Sequence, residues 1–120
     1  MVMDALEALQ KKFAGCQTVA FADLSTQMIL VTNSDTQYRR ETLDMLCAEA
    51  ALALGTKNKP MLGDQAGDAA FVATRNQLRI FLRASQEPSD VLCCVCAPDI
   101  DVAGFLSDAR PCLEMISNGA

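Results

Sequence analysis

The chain has 120 residues, 51% of them hydrophobic, and carries 10 basic against 15 acidic side chains for a net charge of −5. That length makes a single domain, able to bury about 65% of its unfolded surface in one core, and the apolar content argues against disorder. The acidic balance, with no Lys/Arg run to offset it, repels a phosphate backbone and argues against nucleic-acid binding; no apolar run reaches the ~18 residues of a membrane span.

Met1-Val2-Met3-Asp4 lacks the basic start and apolar stretch of a signal peptide, which predicts a cytoplasmic chain. Met3, Leu6, Leu9 and Phe13 then recur at helical spacing, with Asp4, Glu7, Gln10, Lys11 and Lys12 on the other positions. This is a one-sided amphipathic helix, expected to end at Gly15 in the left-handed conformation of a helix exit. Thr18 to Asp23 and Met28 to Thr32 are β-branched and apolar runs separated by Leu24-Ser25-Thr26-Gln27, a hairpin with a loop of four residues or slightly more.

A second helix is predicted from about Arg39 or Glu41 to Leu54, stopping at Gly55. One apolar stripe is Leu43, Leu46, Cys47, Ala50 and Leu54; another is Met45, Ala48 and Leu52; the polar strip of Glu41, Asp44 and Glu49 is narrow. A helix apolar on two faces is usually covered on both, one by its own sheet and the other most economically by a second subunit. The small residues Ala48, Ala50, Ala51 and Ala53 permit a close helix approach, although surplus alanines in a good helix former read the same way.

Residues 56–68, with Pro60, Gly63 and Gly67, form a long linker-like stretch of the kind that is commonly mobile or functional. Three strands follow with short turns: Ala69 to Thr74, Leu78 to Ala84 and Val91 to Ala97, the first two joined at Arg75-Asn76-Gln77. Short connections favour antiparallel pairing, so the fold class is α+β, one sheet with helices laid on it rather than a parallel doubly wound fold. Leu78, Ile80, Leu82 and Ala84 share one face of the middle strand, and Arg79, Phe81 and Arg83 the other. Val91 to Ala97 is apolar on both faces, which marks a central strand. Asp99 or Asp101 caps a last helix that buries Val102, Phe105, Leu106 and Ala109, and Pro111 predicts a kink or break near Arg110.

The chemical vocabulary is sparse. With no histidine, Ser-His and Cys-His nucleophile pairs and histidine metal ligands are excluded. Cys93, Cys94 and Cys96 lie within one strand, where neighbours point to opposite faces, and a structural zinc site wants four tetrahedral ligands; all six cysteines are therefore expected as reduced, mostly buried thiols. Gly63-Asp64-Gln65-Ala66-Gly67 lacks the Gly-Lys-Ser/Thr end of a phosphate loop. Asp99, Asp101 and Asp108 read as helix capping and a solvated face rather than a cation site. No catalytic, cofactor or metal residue is assigned, and the chain is not read as an enzyme. Arg79-Phe81-Arg83, an aromatic between two guanidinium groups, matches interface composition and is a candidate partner surface; the plainer reading is a strand whose arginine stems cover the sheet.

The element order and its joints resemble the dynein light chain roadblock family over nearly the whole chain. Phe13-Ala14-Gly15-Cys16 looks like the family's glycine leading into the first strand, and Val91 to Ala97 followed by Pro98-Asp99-Ile100-Asp101-Val102-Ala103-Gly104-Phe105-Leu106 like its last strand, acidic turn and final helix. The chain departs from the family in having no glycine between its first two strands. The resemblance implies a five-stranded antiparallel sheet flanked by three helices, one on one face and two on the other. It also implies a homodimer in which second helices pack together and third strands join, and docking onto a small Ras-like GTPase or service as a scaffold subunit. Met45, Ala48, Glu49, Leu52 and the edge-strand Phe71 are the candidate dimer residues. The alternative function is a small-molecule sensory domain with residues 56–68 as a lid; a weaker one is an enzyme subunit whose active site lies on another chain.

Overall fold

The computed structural model describes residues 2–33, 39–54 and 68–118. Its elements, in order, are α1 (Val2–Lys12), β1 (Cys16–Asp23), β2 (Met28–Thr32), α2 (Arg40–Leu54), β3 (Ala69–Ala73), β4 (Leu78–Arg83), β5 (Asp90–Cys96) and α3 (Val102–Ser117). The strands form one sheet in the order β2-β1-β5-β4-β3, antiparallel at every pairing. Gly55 and the 56–67 part of the long connection lie outside the described residues.

The alternation of side chains along each strand sorts the core into two layers. Leu92, Cys94 and Cys96 of β5, with Val19, Phe21, Ile80 and Leu82, face Leu6 and Leu9 of α1 and Phe105, Ala109, Leu113 and Ile116 of α3. Val91, Cys93 and Val95, with Ala20, Ala22 and Phe81, face Leu43, Leu46, Cys47, Ala50 and Leu54 of α2. The central place predicted for the fifth strand and the division of helices, two on one face and one on the other, are both observed. Burial of all six residues from Val91 to Cys96 stabilises the sheet from both sides at once.

Local chemistry sets the joints. The β1–β2 turn manages without glycine: Asp23 Oδ1 accepts hydrogen bonds from the Ser25 amide (2.9 Å) and hydroxyl (2.7 Å), and Gln27 takes the left-handed conformation at φ 55°. Those bonds favour the ionised carboxyl and hold Asp23 below its ordinary pKa of 3.8. Beyond β2, the pairing is continued by Asn33, which is fully buried. Its amide donates to the Val19 carbonyl (3.1 Å), its Oδ1 accepts from the Val19 amide (2.9 Å), and its Nδ2 donates to the Gln17 carbonyl (3.4 Å). An asparagine thus serves as one more strand residue.

Two expectations are corrected. The first helix ends at Lys12, not at Gly15, and Gly15 is not left-handed. A Cβ there would lie 3.3 Å from the Ala97 Cβ and 3.6 Å from Ile100, so glycine eases the close approach of the α1–β1 turn to the residues after β5. Of the kink or break expected near Arg110, the break is absent: the last helix runs through Pro111 to Ser117. Its buried row Phe105, Ala109, Leu113 and Ile116 is continuous across the proline, and both ends are tied down. Asp101 caps the start by accepting from the Gly104 amide (3.2 Å), and a Cβ on Gly104 would crowd the capping carboxylate. At the other end Glu114 accepts from the Ser85 amide and hydroxyl, and the Ser117 hydroxyl donates to Asp90 (2.8 Å).

Asn33→Ala should destabilise the fold by about 1–3 kcal/mol, because it leaves the Val19 amide buried without that acceptor; urea denaturation should show a lower midpoint at an unchanged slope. The Asp23 carboxyl, followed by NMR, should titrate below 3.8. Since its folded pKa is depressed, its stabilising contribution is complete above the unfolded value and is lost as pH falls through the folded one.

Candidate interaction surfaces

On α2 the inner stripe is buried and the outer stripe is bare. Met45 is 72% exposed and Leu52 71%, with Ala48 exposed between them. Steps of three and four place the three residues on one line along the helix, and the alanine between the longer side chains leaves room for another helix. Beside the stripe, Glu49 Oε1 lies 2.8 Å from Arg79 Nε of β4, both groups only partly exposed. The contact is an ion pair rather than a well-aligned hydrogen bond. It bridges α2 to the sheet at the flank of the exposed line.

Strand β3 is the edge beyond β4, so among the described residues its outer backbone groups have no strand to pair with. Phe71, 49% exposed, sits opposite Ile80, and Ile80 belongs to the α1/α3 layer. Phe71 and the Met45–Ala48–Leu52 line therefore lie on opposite faces of the sheet. Only an interface that wraps the β3 edge covers both.

Arg79, Phe81 and Arg83 do share one face of β4, as the alternation predicts, but they do not form a surface. Phe81 is fully buried beneath α2, because β4 is an interior strand covered on that side by the helix. Arg79 is engaged with Glu49, and Arg83 donates from its guanidinium to the Pro88 carbonyl (3.1 Å), with burial lowering its pKa and Asp68 opposing that shift. The predicted three-residue partner surface is thus corrected: its aromatic member is core, and its arginines are tied locally.

Sequence reasoning missed two exposed apolar groups. Met28 and Leu30 stand out on the other edge strand, β2, where a bulge between Phe21 and Ala22 shifts the register. Met115 flanks a cleft between α1 and α3 lined by Ala5, Ala8, Leu9 and Cys112, with the Lys12–Asp108 ion pair at its rim. Met3, expected on the buried stripe of the first helix, is 46% exposed. The methionines themselves were the available signal, since each falls at the margin of an apolar stripe.

All six cysteines are reduced, and burial pushes the thiols of Cys47, Cys93, Cys94 and Cys112 up, away from nucleophilic thiolate. Asp101 is the helix cap and Asp108 pairs with Lys12. Among the described residues, no three His, Cys, Asp or Glu side chains are grouped so as to hold a metal ion, and no helix is long and apolar enough to cross a membrane.

No protein-family model and no curated protein sequence matches the chain. Solved structures do. A roadblock/LC7 domain from Streptomyces avermitilis superposes with a TM-score of 0.75 at 11% identity, covering 95% of this chain and 92% of its own. Myxococcus xanthus MglB gives 0.75 at 14% identity, covering 99% and 96%. An MglB in a tetrameric arrangement gives 0.74 at 10% identity, covering 98% and 85%. Likeness at such low identity speaks for the backbone rather than the chemistry, and on that backbone the chain has the roadblock/LC7 fold.

Proposed function

We propose that the protein is a homodimeric, non-enzymatic interaction module of the cytoplasm that regulates a small Ras-like GTPase, or holds one as part of a scaffold. The observation that carries this reading is the bare Met45–Ala48–Leu52 line on a helix already buried on its other side, next to an open sheet edge. Two such helices laid together remove four long apolar side chains from water, each contributing about 1.5–3 kcal/mol when fully buried. Glu49 would sit at the margin of that contact, and Phe71 on the far side of the joined β3 edges. The GTPase comes from the resemblance to roadblock proteins, and likeness to MglB, one form of which assembles as a tetramer, supports self-association as the way such a domain works.

Arg79 and Arg83 enter this reading as supports for α2 and the β4–β5 end. With Phe81 in the core, the docking surface for a second protein falls on the dimer groove itself rather than on β4.

Sedimentation equilibrium should give twice the chain mass for the native protein and the single-chain mass for Leu52→Asp, with the circular dichroism of both alike. A folded Leu52→Asp variant that keeps the dimer mass would sink the self-association half. For the partner, a pull-down from the source lysate with GDP or a slowly hydrolysed GTP analogue should recover a small GTPase in one nucleotide state. A nucleotide-independent partner would mark a plain scaffold, and an empty pull-down would overturn the docking half.

A further inference from the structure

Cys16, at the first position of β1, and Cys96, at the last position of β5, are direct cross-strand partners. The two side chains point to the same face, since both belong to the α1/α3 layer, and both are buried. The backbone bonds around them define the kind of pair they form. The Cys16 amide donates to the Phe13 carbonyl (2.9 Å) rather than across the ladder, and the Ala97 amide donates to the Gly15 carbonyl (2.7 Å) just outside the pair. Cys16 and Cys96 therefore occupy a non-hydrogen-bonded position, where Cα atoms of antiparallel strands approach to about 4.5 Å and side chains are closest. That separation falls at the short end of the range a disulfide spans.

We propose that Cys16 and Cys96 form a dithiol site that hydrogen peroxide converts reversibly to a cross-strand disulfide. The Cys96 thiolate attacks one peroxide oxygen; the O–O bond breaks, giving the Cys96 sulfenic acid and hydroxide, which takes up a proton to become water. The Cys16 sulfur then attacks the Cys96 sulfur, the S–O bond breaks, and the departing hydroxide takes the Cys16 proton as a second water. Two thiols are oxidised to one disulfide, and one peroxide is reduced to two waters.

The cross-strand pairing sets the two sulfurs beside each other on one face, and the surroundings of Cys96 favour it as the one that attacks first. The Cys16 thiol hydrogen-bonds to Cys96 and holds its pKa below the ordinary thiol value, against the opposing effect of burial. Cys47, Cys93, Cys94 and Cys112 are displaced the other way. The Cys16 Sγ also lies 4.0 Å from the Thr18 carbonyl. Access is by local opening: the pair ends its ladder beside a register shift between Cys16 and Thr18, and strand ends open at lower free energy than strand centres. Cys94 cannot substitute, because its cross-strand partner on β1 is Val19.

The test treats the full chain with a small excess of hydrogen peroxide, blocks remaining thiols in denaturant, and maps the non-reduced digest by tandem mass spectrometry. The expected product is a peptide pair joined through Cys16 and Cys96, lighter by two hydrogen atoms and abolished by dithiothreitol, while Cys93 and Cys94 remain alkylatable. Cys96→Ser should remove it, and Cys93→Ser together with Cys94→Ser should not. Should a variant fail to fold, fragmentation of the native cross-linked pair still identifies the bonded sulfurs. Recovery of both Cys16 and Cys96 as thiols, or cross-links scattered among the six cysteines, would overturn the proposal.

Discussion

Everything in this fold leans on β5. A strand with apolar side chains on both faces cannot lie at an edge or against water, so it takes the centre of the sheet and demands a helical layer above and below. One face of β5 meets α1 and α3, and the other meets α2. Once those layers are in place β1 and β4 flank it, and β2 and β3 are left as edges. The cysteines of β5 act as small apolar side chains. All three are fully buried.

Much of this order is legible in residues alone. The double-sided pattern of Val91 to Ala97 names the central strand, and the alternation of Leu78 to Ala84 assigns every β4 side chain to its correct face. What the alternation cannot tell is which face is open. Arg79 and Arg83 suggested solvent, yet their long stems and local partners are compatible with a face roofed by α2, and Phe81 between them is core. The strand-to-helix contact that decides this joins distant parts of the chain, so no local pattern reports it. Gly15 shows the same limit: the close approach it eases is to Ala97, far away in sequence. Pro111 shows the reverse, a strong local signal overridden by a continuous buried row on α3.

The exposed apolar stripe of α2 was more legible than the fate of Arg79, Phe81 and Arg83 because its signal is a surplus. A helix needs one apolar stripe to hold to its own sheet, and α2 has two; the second remains exposed after folding. Position on the sheet adds what the helix pattern lacks. Phe71 faces away from α2, so the exposed stripe and the exposed aromatic are joined only by the β3 edge between them. An assembly built on helix contact alone leaves Phe71 in water. One built through the edge closes the hydrogen-bond ladder and covers both faces together.

The sheet order also has a kinetic side. β1 is made early in synthesis, yet its inner neighbour is β5, about seventy residues later in the chain. Until then β1 has only β2 beside it, and a two-stranded ribbon is marginal in water. The hairpin must therefore wait, its apolar face unroofed, for the penultimate element to insert between it and the β3–β4 pair. Contacts of such sequence separation slow folding and lengthen exposure to aggregation. In this light the short β1–β2 hairpin, locked by Asn33 and turned by Asp23, has a second use: it keeps a nascent edge in register while the strand that completes the sheet is still to come.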